Sequence, residues 1–321
     1  MDVVTLGEIL IDMFPAEVGR KLVTVTAFHP KPGGAPANVA VAVSRLGASS
    51  AFIGKVGDDL FGHFLVDVLK RERVETRGIR IDPEARTTMA IIAMPDVNSA
   101  EFVFYRNPGA DILLRAEELD RDLLRSARAF HCGSLSLVSE PAYGATLEAI
   151  RLARASDALV SFDVNYRPSL WRDATQTVEK IRAVIAQVDL LKVNEAELKL
   201  LTGNTDLETA AQVLLNLGPN LVVVTCGAKG SYFQIAEGGA HTPAFSVQTV
   251  DAIGCGDAFM AGMLTRLVSA NNWRTELTVP RLRAHLRYAN AVGALTALGQ
   301  GVIPALPTAE QVDDFLREHS G

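Results

Sequence analysis

Cysteine is scarce in this chain of 321 residues: it has three, Cys132, Cys226 and Cys255, far apart and with no paired spacing. That pattern suggests neither a disulfide framework nor a zinc site. None of the six histidines sits in a His-x-x-x-His or glutamate-paired metal pattern. Basic charge is not in excess, since 31 Lys+Arg against 37 Asp+Glu give a formal net charge of -6. This argues against a general nucleic-acid binder and leaves any anionic substrate to local amides and arginines. No apolar run reaches the roughly 18 residues of a membrane span, and the first residues carry no basic leader. The expectation is a soluble cytoplasmic protein with no membrane partner. Two nucleotide loops are also missing, Gly-x-x-x-x-Gly-Lys-Ser/Thr and a Gly-x-Gly-x-x-Gly after the first strand, which disfavours a P-loop enzyme or a Rossmann dehydrogenase.

What is present is rhythm. At 48% hydrophobic the composition is ordinary for a globular protein. Strands are predicted over 3–12, 50–54, 129–132, 158–164, 190–193 and 221–225, with a hairpin over 230–236 and 241–248. Helices are predicted over 58–71, 116–126, 141–155, 175–187, 280–298 and 308–318. Such alternation predicts an α/β fold, a mostly parallel central sheet flanked by helices. Two β-like segments, about 13–32 and 86–108, fall outside the rhythm and predict a small accessory sheet over the open end of a single domain, 1–321. Ligands of such sheets sit beyond the carboxyl ends of the strands. Asp12, Asp163, Asn194, Thr225 and Asp257 all fall at or just past predicted strand ends.

The stretch Asp251-Ala252-Ile253-Gly254-Cys255-Gly256-Asp257 follows a β-like run, 244–250, and enters an apolar helix. Unpaired amides at a helix start favour an anion. Asp257 beside them either caps the helix or takes the proton of a hydroxyl that attacks a phosphate held there. The turn Gly33-Gly34-Ala35-Pro36-Ala37-Asn38 either relieves strain at a helix start or lets a polyol approach the backbone, with Asn38 hydrogen-bonding it. Asp163 and Arg167 form an internal ion pair or, through Arg167, hold phosphate or substrate. Asn194 and Glu197 have the spacing of a capping box, or orient Mg²⁺ and its waters. The glycines of Thr225-Cys226-Gly227-Ala228-Lys229-Gly230 either close a tight turn or admit a flat nucleotide.

Taken together these segments resemble the ribokinase-like, or PfkB, carbohydrate kinase family from about residue 3 to 307. Gly7 to Asp12, Pro32 to Ala40, Phe104 to Pro108 and Asp163 to Arg167 are most similar to fructokinases. Related 2-keto-3-deoxygluconate kinases share the Asp-x-Asn-x-Arg segment, so another sugar or nucleoside kinase of the family is the alternative. The resemblance implies a three-layer fold with a β lid, and ATP- and Mg²⁺-dependent phosphorylation of a ketose's primary hydroxyl, with D-fructose yielding fructose 6-phosphate. It implies Asp257 as base and Gly254, Cys255 and Gly256 as anion hole. Asp12, Gly33, Gly34 and Asn38 would hold the sugar, Tyr105 and Arg106 would reach from the lid, and Arg167 would lie near the transferred phosphate. Asn194, Thr225, Gly227, Gly230 and Asn290 would line the nucleotide site. Asp251 with the carbonyls of Ile253, Thr296, Gly299 and Gly301 matches the family's K⁺ position. The lid's open sheet edge offers a homodimer contact. One departure stands out: Asp251-Ala252-Ile253-Gly254-Cys255 replaces the family's Asp-Thr-Thr-Gly-Ala. A thiol near a helix start is expected to have a lowered pKa.

Overall fold

The computed structural model describes residues 1–17, 19–96, 99–171 and 173–319. Gly7 divides the first expected strand in two. Its φ of 152° is one that L side chains rarely adopt, and a Cβ there would come within 2.6 Å of Pro36. Strand β1 (Val3–Leu6) stays in a central sheet, while β2 (Leu10–Pro15) belongs to a second, smaller sheet. Asp12 therefore lies within β2 and does not end a central strand.

The remaining strands are β3 (Phe28–Gly33), β4 (Ser50–Gly57), β5 (Glu75–Asp82), β6 (Met89–Asp96), β7 (Ser99–Tyr105), β8 (Ala129–Gly133), β9 (Leu159–Asp163), β10 (Leu190–Asn194), β11 (Leu221–Thr225), β12 (Ser231–Ile235) and β13 (Gly238–Thr242). The central sheet has nine strands in the order β13-β12-β11-β10-β9-β8-β1-β4-β5. Pairing is parallel from β11 to β5, and antiparallel where β12 and β13 extend the edge.

Both faces of this sheet are apolar, which is why β11 reads as an unbroken β-branched run. Leu221 and Val223 enter one core with the helices Ala35–Arg45, Cys255–Ser269 and Val279–Thr296. Val222 and Val224 enter the other, with Ala142–Ala155, Ala174–Ile185, Glu195–Thr202 and Leu207–Leu215. Three layers result.

The second sheet has the order β3-β2-β6-β7. It corresponds to the two offbeat segments but begins earlier, at Leu10. Two expectations are corrected, and one strand was not foreseen. The helix expected over 116–126 is a turn, Ala116–Glu118, and a short helix, Arg121–Arg125. Strand β5, too charged to stand out, pairs with β4 as the sheet edge. The run 244–250 is not a strand: β13 ends at Thr242, and Pro243, lacking an N–H, cannot continue the ladder. None of the helices among the described residues is long and apolar enough to cross a membrane.

Candidate active site

A cleft of ≈ 1370 Å³ lies between the ends of β10 and β11 and the small sheet, whose Asp12, Phe102 and Phe104 line it. Its floor is the start of the helix Cys255–Ser269. Gly254 precedes that helix at a left-handed φ of 79°, with no side-chain cap, and a Cβ there would strike Val302. The helix's first internal bond runs from Ala258 N to Gly254 O at 2.9 Å. The amides of Gly256 and Asp257 stand ahead of it, and both residues line the cleft.

Asp257, in this first turn, is only 9% exposed. Asn38 Nδ2 donates to its Oδ2 at 2.8 Å. Burial pushes the Asp257 carboxyl up to about 6; the Asn38 bond, Lys192 and Arg167 pull against that rise, and Asp163 adds to it. Asn38 Oδ1 is buried and has no hydrogen-bond partner among the described residues, so it remains open to a ligand hydroxyl. Beside it Asp12 is pushed up to about 8 by burial, with Asp257, Glu8 and Asp251 adding and Arg167 opposing. Burial lifts Glu8 to about 7 against the pull of Arg106; its Oε1 accepts from Ala35 N at 3.0 Å. This end of the cleft thus presents carboxyl groups that can donate as well as accept.

Gly34, at φ 106°, lines the cleft, and a Cβ on it would sit 2.9 Å from Ile9 Cα. Gly33 does not line it, but a Cβ there would collide with the Asp12 carboxylate, so its bare backbone makes room for that group. Arg167, Asn194, Thr225, Gly227, Gly230 and Asn290 all line the cleft. The Asn290 side chain is already engaged: it accepts from Ser231 Oγ at 3.0 Å and donates to Pro243 O at 3.1 Å.

Four expectations change. Tyr105, 58% exposed, does not line the cleft. Nor does Arg106, whose Nε donates to Asp111 at 2.8 Å and whose Nη2 reaches Asp111 and Leu135 O; only Nη1 lacks a partner among the described residues. Glu197 is buried away from it, with Oε1 accepting from Tyr166 N at 2.7 Å and Oε2 from Asn194 N at 2.8 Å. Cys255 lines the cleft, but burial, with Asp251 and Asp257, pushes its thiol up to about 12, the reverse of the expected lowering.

A family model described as pfkB family carbohydrate kinase matches residues 1–309. The chain belongs to the pfkB family of carbohydrate kinases. Fructokinase-2 of Solanum lycopersicum is 41% identical to this kinase over 316 residues, 98% of this chain and 96% of that one. A fructokinase from Xylella fastidiosa, solved with bound ATP, has a TM-score of 0.90 at 34% identity, covering 99% of each chain. A double mutant of the fructokinase from Vibrio cholerae O395, in a form with fructose, ADP and potassium ion, has a TM-score of 0.88 at 31% identity and 98% coverage of each.

The kinase's cleft also holds residues that sequence reasoning did not assign to it. Lys192 Nζ contacts the Asp163 oxygens at 3.1 and 2.9 Å, so the partner of Asp163 is this lysine and not Arg167. A lysine inside the apolar strand β10 was the available signal, because a buried ammonium requires a partner. Arg167 instead lies over the Phe102 ring at 5.2 Å. Glu8 gave no signal, because its place depends on the break at Gly7.

The residues present suit both implied ions. Asp251 is 1% exposed, and its oxygens accept from the amides of Ile253 at 2.9 Å and Gly301 at 3.0 Å. A buried carboxylate held by neutral amides suits a monovalent cation. For a divalent ion, no group of three or more His, Cys, Asp or Glu gathers among the described residues. Glu195, which lines the cleft, offers carboxylate oxygens of the kind that meet Mg²⁺ through its waters.

Proposed function

We propose that this kinase is an ATP-dependent fructokinase, converting D-fructose to fructose 6-phosphate, with Asp257 as the base. The observation that carries this reading is the Asn38–Asp257 bond at 2.8 Å beside the amides of Gly256 and Asp257, which stand ahead of the first helix bond. Asp257, ionised above about pH 6, accepts the hydroxyl proton as the oxygen attacks. The amides of Gly254 and Gly256 hold the phosphoryl oxygens, joined by that of Cys255 once it leaves Ala252 O, to which it donates at 3.4 Å, and Arg167 adds a cation. Asp12, Gly34 and Asn38 orient the sugar. Thr225, Gly227, Gly230 and Asn290 accommodate the nucleotide, with Asn194 at its phosphate end. Mg²⁺, when bound, offsets phosphate charge; Glu195, which lines the cleft at the start of its helix, is better placed to meet its waters than Glu197. K⁺ would sit by Asp251 and the carbonyls of Ile253, Thr296, Gly299 and Gly301.

The choice of a neutral ketose over an acidic sugar rests on charge. The sugar end carries Glu8, Asp12 and Asp257, and the charge of Arg106 is matched by Asp111. A ketodeoxygluconate carboxylate would meet the ionised Asp257 there, while Glu8 and Asp12, raised by burial to about 7 and about 8, offer protons to neutral hydroxyls. A coupled assay across fructose, ribose, adenosine and ketodeoxygluconate tests this: kcat/KM should be highest for fructose, and a preference for ketodeoxygluconate would reverse the assignment. The small sheet acts as a lid in this proposal, so ADP release without sugar should be slow. We also place the enzyme in the cytoplasm and propose a homodimer through the lid edge at β7, where Val103 is 42% exposed; light scattering reads the mass.

A further inference from the structure

Lys192 is 5% exposed in a strand interior, yet it lines the cleft. Its strand β10 pairs with β9 in a register that sets it opposite Asp163, and the ion pair between them closes at 2.9 Å. The ammonium also lies under the start of the helix Cys255–Ser269: a Cβ on Gly256 would be 3.0 Å from Nζ. The glycine leaves the lysine next to the first-turn backbone. Of the charged side chains lining the cleft, Glu8, Asp12, Glu195 and Asp257 are acidic, and only Lys192 and Arg167 are basic among the described residues. Buried ion pairs are a poor source of net stability, so stability alone does not account for this one.

We propose that Lys192, held by Asp163, is a positioning residue for phosphoryl transfer. Its ammonium adds a fixed positive charge beside the amides that hold the phosphoryl oxygens and keeps Asp257 ionised. The groups around the pair agree. Burial works against the Lys192 charge, but Asp163, Glu197 and Asp257 outweigh it and hold its pKa above the ordinary value. Asp257 faces Asn38, Asp163, Lys192 and Arg167, with Asp12 beside it. Lysine and aspartate act on it in opposite directions, Lys192 pulling its pKa down and Asp163 pushing it up.

This inference rests on Asp257 as base, and its test separates the two. The full chain, labelled with ¹³C at the aspartate carboxyls, is titrated without substrate as wild type, Lys192→Met, Lys192→Arg and Asp163→Asn, with Asp257→Asn assigning the signal. Asp257 should titrate higher in Lys192→Met by about one pH unit and lower in Asp163→Asn, with Lys192→Arg near wild type. In turnover, Lys192→Met should lower kcat by on the order of 10²-fold, with KM for fructose changed by less than about 3-fold and kcat partly restored by arginine. A lysine and an aspartate that only support the fold would leave the Asp257 titration at its wild-type position in both variants. An unchanged Asp257 titration in the folded variants, or wild-type turnover in Lys192→Met, overturns the proposal. If the methionine variant does not fold, Asp163→Asn and Lys192→Arg decide by the same titration. Failure of Asp257 as base would appear instead as full activity in Asp257→Asn.

Discussion

Asn38 and Asp257 lie 219 residues apart in the chain, yet the amide of one donates to the carboxylate of the other at 2.8 Å. The bond joins the starts of two helices that pack together, Ala35–Arg45 and Cys255–Ser269. It fixes which Asp257 oxygen is engaged and leaves the other for chemistry. Asp257→Ala should therefore lower kcat by on the order of 10²–10⁴ with a smaller effect on KM. Steady-state kinetics with fructose and ATP measure it, and a variant retaining most of its turnover would remove Asp257 from this role.

The same carboxyl sets a pH dependence. Burial raises it to about 6, so the fraction able to take a proton falls as pH drops through that value. The acid limb of kcat/KM for fructose should have its midpoint near pH 6. An ordinary exposed aspartate would put it near about 4, and a limb there would mean the base is better solvated than its burial implies.

Much of this site was legible because its parts are local. The glycines and Asp257 at the start of one helix, the Gly33-Gly34 turn before another and the Asn194–Glu197 capping box each span a few residues. What was hidden depends on register and burial. Lys192 meets Asp163 only because β9 and β10 align as they do. Arg106 has a sugar ligand's place in the sequence, but Asp111 holds its guanidinium. The helix start near Cys255 suggested an acidic thiol, but the burial that opposes ionisation is a property of the packed fold.

That thiol gives a prediction with its sign reversed. With Cys255 pushed up to about 12 and Cys226 to about 11 by burial, and Cys132 raised further, little thiolate exists at neutral pH. Iodoacetamide should label the native kinase far more slowly than a free thiol, while denaturant should release three reactive groups. Mass spectrometry counts the adducts. Rapid labelling of Cys255 in the native protein would contradict the burial argument.

Asn38 should matter twice, because Nδ2 orients Asp257 and Oδ1 is open. Asn38→Ala is expected to raise KM for fructose by roughly 10-fold, the worth of one hydrogen bond, and also to lower kcat. If KM is unchanged while kcat falls, Oδ1 does not meet the sugar and only the orienting bond remains.

Asp12 allows a test of the site's electrostatics through stability. Its folded pKa of about 8 lies above the ordinary carboxyl value because of burial, first, and then Asp257. Between the ordinary value of about 4 and about 8, the native state keeps a proton that the unfolded chain has lost. Stability contributed by this group is complete below that window and declines as pH rises through it. Asp12→Asn cannot ionise, so its melting temperature should exceed that of wild type by on the order of a few degrees above the window and match it below. Activity should fall in the same variant, because asparagine keeps the shape but not the carboxyl that meets the sugar. Melting curves that run parallel across the window would mean that Asp12 is solvated in the native state, and the sugar end would then be more strongly anionic than its burial indicates.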